Sequence, residues 1–171
     1  MVSRLRVDEL TAPNGLSAPS APYGLKLPNS SIPGSTTFDW YEKGTWTPAF
    51  TAQTPGTISF VTTVSWATFT RVGRLVTASF RCSVASGTIG TASGNLRISG
   101  LPYASSAEGG GVGSCFTTGV DLFGGNVVIW LSPGNSFIEF YSSVDNGTWG
   151  AAAIGGLSIS DEIIGTITYP A

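Results

Sequence analysis

Histidine is absent from this chain of 171 residues. That removes the commonest general base and the imidazole ligands of most zinc and iron sites. Cysteine is nearly absent, with only Cys82 and Cys115. Two cysteines do not make a disulfide scaffold. Cys82 shares the apolar phase of a strand with Phe80 and Val84, so a buried free thiol is expected, and the spacing leaves a Cys82–Cys115 disulfide open. Charge is also scarce, at 11% of residues against about a quarter in ordinary domains. The net charge of −2 gives no electrostatic case for nucleic acid or for an anionic membrane. No apolar run approaches the ~20 residues of a membrane span. Arg4 and Arg6 are not followed by an apolar h-region, so neither membrane insertion nor a secretory signal is expected.

The chemistry of a catalyst is missing in other ways. Gly109-Gly110-Gly111-Val112-Gly113 lacks the Lys-Ser/Thr of a phosphate loop and opens no helix, so it reads as a loop. Asp121, Glu139, Asp145, Asp161 and Glu162 could supply a glycosidase pair, but no pattern brings two of them to one cleft. Asp145 and Asn146 fit a turn better than a calcium site. Asn29-Ser30-Ser31 and Asn146-Gly147-Thr148 match the glycosylation pattern only by chance if no secretory signal is present. No catalytic residue, no metal and no cofactor are therefore expected.

What the chain does have is glycine, serine, threonine and alternating apolar residues. Its 23 glycines and many hydroxyl residues favour turns and strands over helices. Arg74 to Val84 is the clearest segment. Val76, Ala78, Phe80, Cys82 and Val84 take one face, and Leu75, Thr77, Ser79, Arg81 and Ser83 the other, as in a half-buried antiparallel strand. Further strands are expected over Trp46–Phe50, Thr57–Val64, Trp66–Arg71, Asn95–Ser99, Gly113–Val120, Ser136–Ser143, Leu157–Ser160 and Ile163–Tyr169. Asn126 to Leu131 is a continuous apolar run, the pattern of a strand buried on both faces. Ser132-Pro133-Gly134-Asn135 suits a hairpin turn. No segment has helical periodicity. The expected fold is all-β, an antiparallel β-sandwich of jelly-roll type.

Residues 1–38 differ in kind. Five prolines, from Pro13 to Pro33, favour extended chain. Arg4, Leu5, Arg6, Val7 and Leu10 form one short alternating strand, and Leu16, Tyr23, Leu25 and Leu27 recur beyond it. A flexible linker would not need these apolar residues. They suit an extended arm that anchors the chain on another protein, followed by a β-domain over residues 39–171.

Charges are sorted along the chain. Arg71, Arg74, Arg81 and Arg97 fall in a stretch with no acid, and six acids follow Arg97 with no base. Neighbouring strands could pair them within one domain, or subunits could pair them across an interface. Low charge with many small polar residues suits a protein packed in an assembly.

Asp39-Trp40-Tyr41-Glu42-Lys43-Gly44-Thr45-Trp46-Thr47-Pro48 marks the boundary between the two regions. Three of its residues are aromatic, and Trp40, Tyr41 and Trp46 are expected to pack at a subunit interface or to pin the arm. The segment resembles the acid-x-Tyr-Glu-x-Gly-Thr-Trp-Thr-Pro opening of structural proteins of tailed bacteriophages. Phe69-Thr70-Arg71-Val72-Gly73-Arg74-Leu75-Val76 resembles their Tyr-x-x-x-Gly-x-x-Val strand pair. Ile98-Ser99-Gly100-Leu101-Pro102-Tyr103 is similar to their Ile-x-Gly-Leu-Pro-Phe segment. Leu5-Arg6-Val7-Asp8-Glu9-Leu10 resembles the short Leu-Lys-Val-Asp openings of some fibre and decoration proteins. The likeness is distinctive in the first motif and weaker after Tyr103.

The resemblance implies a β-rich, often trimeric protein on the virion surface, and it supplies no catalytic residues. It points to a homotrimeric capsid decoration (cement) protein or short head fibre that binds a major capsid protein or another virion protein. The alternative it leaves is a tail-fibre protein that grips a host surface glycan, with Trp149 in a turn as the candidate stacking ring.

Overall fold

A computed structural model describes residues 25–26, 37–38, 41–121, 126–143 and 147–171. The chain divides into two units, Met1–Trp40 and Tyr41–Ala171. In the first, strand β1 (Leu25–Lys26) pairs antiparallel with β2 (Thr37–Phe38), Leu25 opposite Phe38. The strand expected over residues 4–10 lies outside the described residues.

The second unit is all-β and antiparallel. Its strands are β3 (Tyr41–Thr45), β4 (Ala49–Thr54), β5 (Val61–Val72), β6 (Leu75–Ser86), β7 (Ser93–Ser99), β8 (Gly111–Thr118), β9 (Asn126–Leu131), β10 (Phe137–Ser143), β11 (Gly150–Ala151) and β12 (Glu162–Pro170). Their order across the sheet is β3-β5-β6-β12-β8-β9-β10-β7-β4, with β11 added to β10. β3 and β4 are neighbours in sequence yet lie at opposite ends of this order. The sheet must curl until its two ends meet, and the Phe50 N–H bonds the Thr62 hydroxyl of β5 at 3.1 Å, across the closing gap.

Curling puts one face of every strand inside. Val76, Ala78, Phe80, Cys82 and Val84 of β6 are buried, as their alternation requires. Ile163, Ile167 and Tyr169 of β12, Ile129 and Leu131 of β9, Ile138 and Phe140 of β10, and Leu96 and Ile98 of β7 complete the core. Small residues keep it close-packed. A Cβ on Gly113 would lie 2.2 Å from the Thr166 carbonyl oxygen, so β8 can approach β12 this closely only with glycine there.

Several expected elements differ. Of the strand expected over Trp46–Phe50 only Ala49 and Phe50 are strand, as the start of β4, and residues 111–113 of the expected loop begin β8. Thr57–Val64 and Trp66–Arg71 read as two runs because period two fails between them. Residues 61–64 of the first run and all of the second belong to the single strand β5, whose pairing with β6 shifts register between Val64 and Trp66; residues 57–60 precede it and form no strand. The bulge turns Trp66 outward, opposite Arg81, and Ala67 inward, opposite Phe80. Over Leu157–Ser160 the chain forms no strand; a 3-10 turn, Ile154–Gly156, precedes it, and the Asp161 carboxylate accepts the Ser158 N–H at 2.6 Å. β9 is buried on one face only. Its run is apolar throughout because Val128 and Trp130 point outward into a second apolar feature.

Two of the four arginines find acid partners within the domain. Arg81 pairs with Glu162 and Arg97 with Glu139, each at 2.8 Å. Both cysteines are free. Burial, helped by the negative charge of Glu162, pushes the Cys82 thiol up to about 12, and burial pushes Cys115 up to about 11. Tyr169 is raised to about 12, chiefly by burial. These groups are neutral in the folded state and ionise more easily unfolded. Their stabilising effect is complete below the unfolded values of 9.0 and 10.0 and is lost as pH climbs towards about 12. Unfolding followed by circular dichroism against pH should therefore show stability falling above pH 9. Tyr169→Phe should flatten the fall between pH 10 and 12, and an unchanged profile would remove Tyr169 from this role.

Candidate functional site

The three motif segments converge in space. Glu42 pairs with Arg71 and Gly44 with Phe69 in the β3–β5 ladder. A Cβ on Gly44 would lie 2.8 Å from the Phe69 ring, so the glycine makes room for that ring. Tyr103, the last residue of the third motif, donates its hydroxyl to the Glu42 carboxylate. Its ring sits edge-on to Phe69, with centroids 5.7 Å apart, and under the Arg71 guanidinium at 4.5 Å. The bond to Glu42 is the main cause that raises the Tyr103 pKa. Tyr169 ties the same end, its hydroxyl donating to the Tyr103 carbonyl at 3.0 Å. Gly100 belongs to the cluster as well: it has φ +92°, and a Cβ there would lie 2.2 Å from the Thr47 carbonyl oxygen.

Residues 46–48 carry the chain from the β3 edge to the β4 edge. The Trp46 N–H bonds the Ala67 carbonyl, and its indole N–H donates to the Ser79 carbonyl at 3.3 Å. Its ring packs edge-on against Phe80, at 5.6 Å. Trp46 is only 8% exposed. This corrects the expectation that Trp46 packs at a subunit interface: the ring fills the domain's own core beneath the crossing. Tyr41, 56% exposed, is the aromatic of this segment that lies on the surface. Trp40 lies outside the described residues, as do Arg4, Leu5, Arg6, Val7, Leu10, Leu16, Tyr23 and Leu27. Of the expected anchoring residues only Leu25 is described, through its backbone pairing with Phe38. The motifs form a structural seam.

The outer face carries a different feature. Val112 of β8 stands opposite Trp130 of β9, Ser114 opposite Val128, and Val128 opposite Tyr141 of β10. Val112, Val128, Trp130 and Tyr141, with Trp149 from the loop before β11, line an apolar hollow of about 520 Å³. The Trp130 indole N–H is held by the Ser132 hydroxyl at 2.9 Å. Beside the hollow Glu139 stands opposite Trp130 on one side and Arg97 on the other. Glu139 is only 8% exposed. Its Oε1 accepts Arg97 Nε at 2.8 Å and Asn95 Nδ2 at 3.3 Å. The Arg97 guanidinium lies 4.1 Å over the Phe137 ring. Burial, then the charge of Glu139 and a hydrogen bond to it, raise the Tyr141 hydroxyl.

Sequence reasoning singled out Trp149 and missed its companions. The signal was available in part: Trp130, Glu139 and Tyr141 are the outward residues of two paired strands, but an apolar run hid Trp130. The acids considered for catalysis are dispersed. Glu139 serves Arg97, Glu162 serves Arg81, Asp161 holds a turn, and Asp145 lies outside the described residues. Among the described residues no cluster of three or more metal-binding side chains occurs.

No family model and no curated protein matches the chain. Its fold is similar to part of a solved structure, the Dettilon tailspike protein (gp208), with a TM-score of 0.56 and 19% sequence identity. The match covers 76% of this chain and 24% of that one, so the chain spans about a quarter of the tailspike's length. At this identity the likeness concerns the fold.

The seam yields a direct test. Trp46→Ala should cost about 3–5 kcal/mol in urea unfolding, because it empties the core under the edge crossing. Trp46→Phe keeps a ring there and loses the indole bond to Ser79, with an expected cost nearer ~1 kcal/mol. Equal small effects from both would show that the ring does not hold the seam.

Proposed function

We propose that this chain is a non-enzymatic structural protein of a tailed-phage virion. It is displayed on the particle surface as a trimeric capsid decoration or short head-fibre protein. Residues 1–38 anchor it to the shell by strand pairing, and the β-unit is the displayed module. The observation that carries this reading is the chemistry of the exposed sheet. The outer face of β5, β6, β12 and β8 is built of threonine, serine and large apolar residues, with its charges held in an internal pair. Such a surface suits neighbours packed against it better than solitary life in water. The motif resemblance and the fold shared with part of a phage tailspike support the same origin. Against catalysis stands the engagement of Glu139, Glu162 and Asp161 in separate pairs and a turn.

The hollow beside Trp149 favours a second reading, a tail-fibre module that recognises a host surface glycan. Aromatic rings around an open apolar floor suit the apolar face of a pyranose, and a fixed Arg97–Glu139 pair nearby offers polar contacts. Copy number per particle separates the two readings. Hundreds of copies are expected for decoration, and a handful would move the protein to the tail. In the decoration reading, deleting residues 1–38 abolishes attachment to particles, and retained attachment would sink the anchoring role. In the second reading a glycan array gives specific binding that disappears in Trp149→Ala.

A further inference from the structure

The outer face of β5, β6, β12 and β8 has an order that the strand registers make explicit. Val72 and Leu75 stand opposite each other at one end. Next come Thr70, Thr77, Thr168 and Val112 in one row across the four strands, then Thr68, Ser79, Thr166 and Ser114 in the next. Trp66, Arg81, Ile164 and Phe116 form the row beyond. Two rows of small hydroxyl residues are thus bordered on both sides by large apolar ones. Neither hydroxyl row carries a charge on these four strands.

Four of the seven hydroxyls in these rows already satisfy one another. Thr77 and Thr168 hydroxyls are 3.0 Å apart, and those of Ser79 and Thr166 are 2.9 Å apart. Covering them therefore strands few polar atoms, which is the usual cost of burying such groups. The one ion pair at the border, Arg81–Glu162, is likewise internally matched through two hydrogen bonds. Trp66 and Phe116 remain 43% and 65% exposed. They flank a hollow of about 360 Å³ floored by Ser79, Ser114, Ile164 and Thr166. Protruding rings beside a hollow give one surface both a knob and a hole, so the knob of one copy can enter the hole of the next in the head-to-tail contact from which a closed ring is built.

Area points the same way. The exposed parts of Trp66, Val72, Leu75, Val112 and Phe116 amount to roughly 500 Å², given the size of such side chains. With the hydroxyl rows the face approaches the ~800 Å² that each partner contributes to a standard interface. This much exposed apolar area on one face is at the upper end of what a lone soluble domain leaves bare, where such patches are often functional. The bulge before Trp66 belongs to this design: without it the indole would point into the core.

We infer that this face is the contact through which a second copy of the chain docks. The inference deepens the trimeric reading above by naming its surface, and it rests on that reading only for the number of copies. The test is the mass of the purified full-length chain by light scattering over a range of concentrations. The wild-type chain should assemble into an oligomer. Thr77→Lys, which places one charge in the middle hydroxyl rows without touching the core, should give monomers with unchanged circular dichroism and melting temperature. Phe116→Ser provides a second, independent disruption should the lysine disturb folding. A monomeric wild type, or an oligomer that survives both substitutions, overturns the inference. Copy number and attachment are measured on particles, so the virion reading can fail while this contact stands, and the reverse.

Discussion

The seam at residues 46–48 is the constraint on which the rest of the structure depends. An antiparallel sheet that curls to enclose one core brings its two edge strands together, and here those edges are consecutive in the chain. The link between them must cross the mouth of the core without leaving a hole. Trp46 does this by dropping its ring against Phe80 while its indole N–H takes the Ser79 carbonyl. Gly100 lets the chain after β7 approach the Thr47 carbonyl. Tyr103 then fastens that later segment to Glu42 and Arg71 on the opposite edge. The three motifs that mark the sequence are three sides of one closure.

Once the sheet is closed, its inner and outer faces follow different rules. The inner face is aliphatic and aromatic, with glycines where strands approach most closely. The outer face is unusual for a surface because it carries few charges, two pairs of which are matched, and several of its hydroxyls bond one another. That leaves large rings to stand out at two places: the hollow of Trp130, Tyr141 and Trp149, and the face bordered by Trp66 and Phe116. A stable core frees these residues from a folding role, so their exposure needs a reason outside the domain.

Much of the fold was legible because half-buried strands announce themselves by alternation. β6 and β10 read directly, since Phe80 and Phe140 face inward with polar neighbours outward. β5 was read as two strands because a bulge of one residue breaks the alternation, and a broken period looks like an end. β9 was read as buried on both faces because Val128 and Trp130 are apolar, and composition cannot tell a core from an apolar surface. The interface expectation for Trp46 failed for a related reason. Its partners, Phe80 and the Ser79 carbonyl, lie far along the chain, and nothing near Trp46 in sequence names them.

The sequence by itself determined the all-β class and the inward residues of the regular strands. Those follow from local periodicity and composition, which need no knowledge of which strands are neighbours. The tertiary structure alone decided that the motifs meet at one seam, that Trp46 is inside and Trp66 outside, and that Trp149 has Trp130 and Tyr141 beside it. Each of these depends on strand order and register. A one-residue shift reverses the face of every side chain, and contacts across the sheet join residues that chain distance keeps apart.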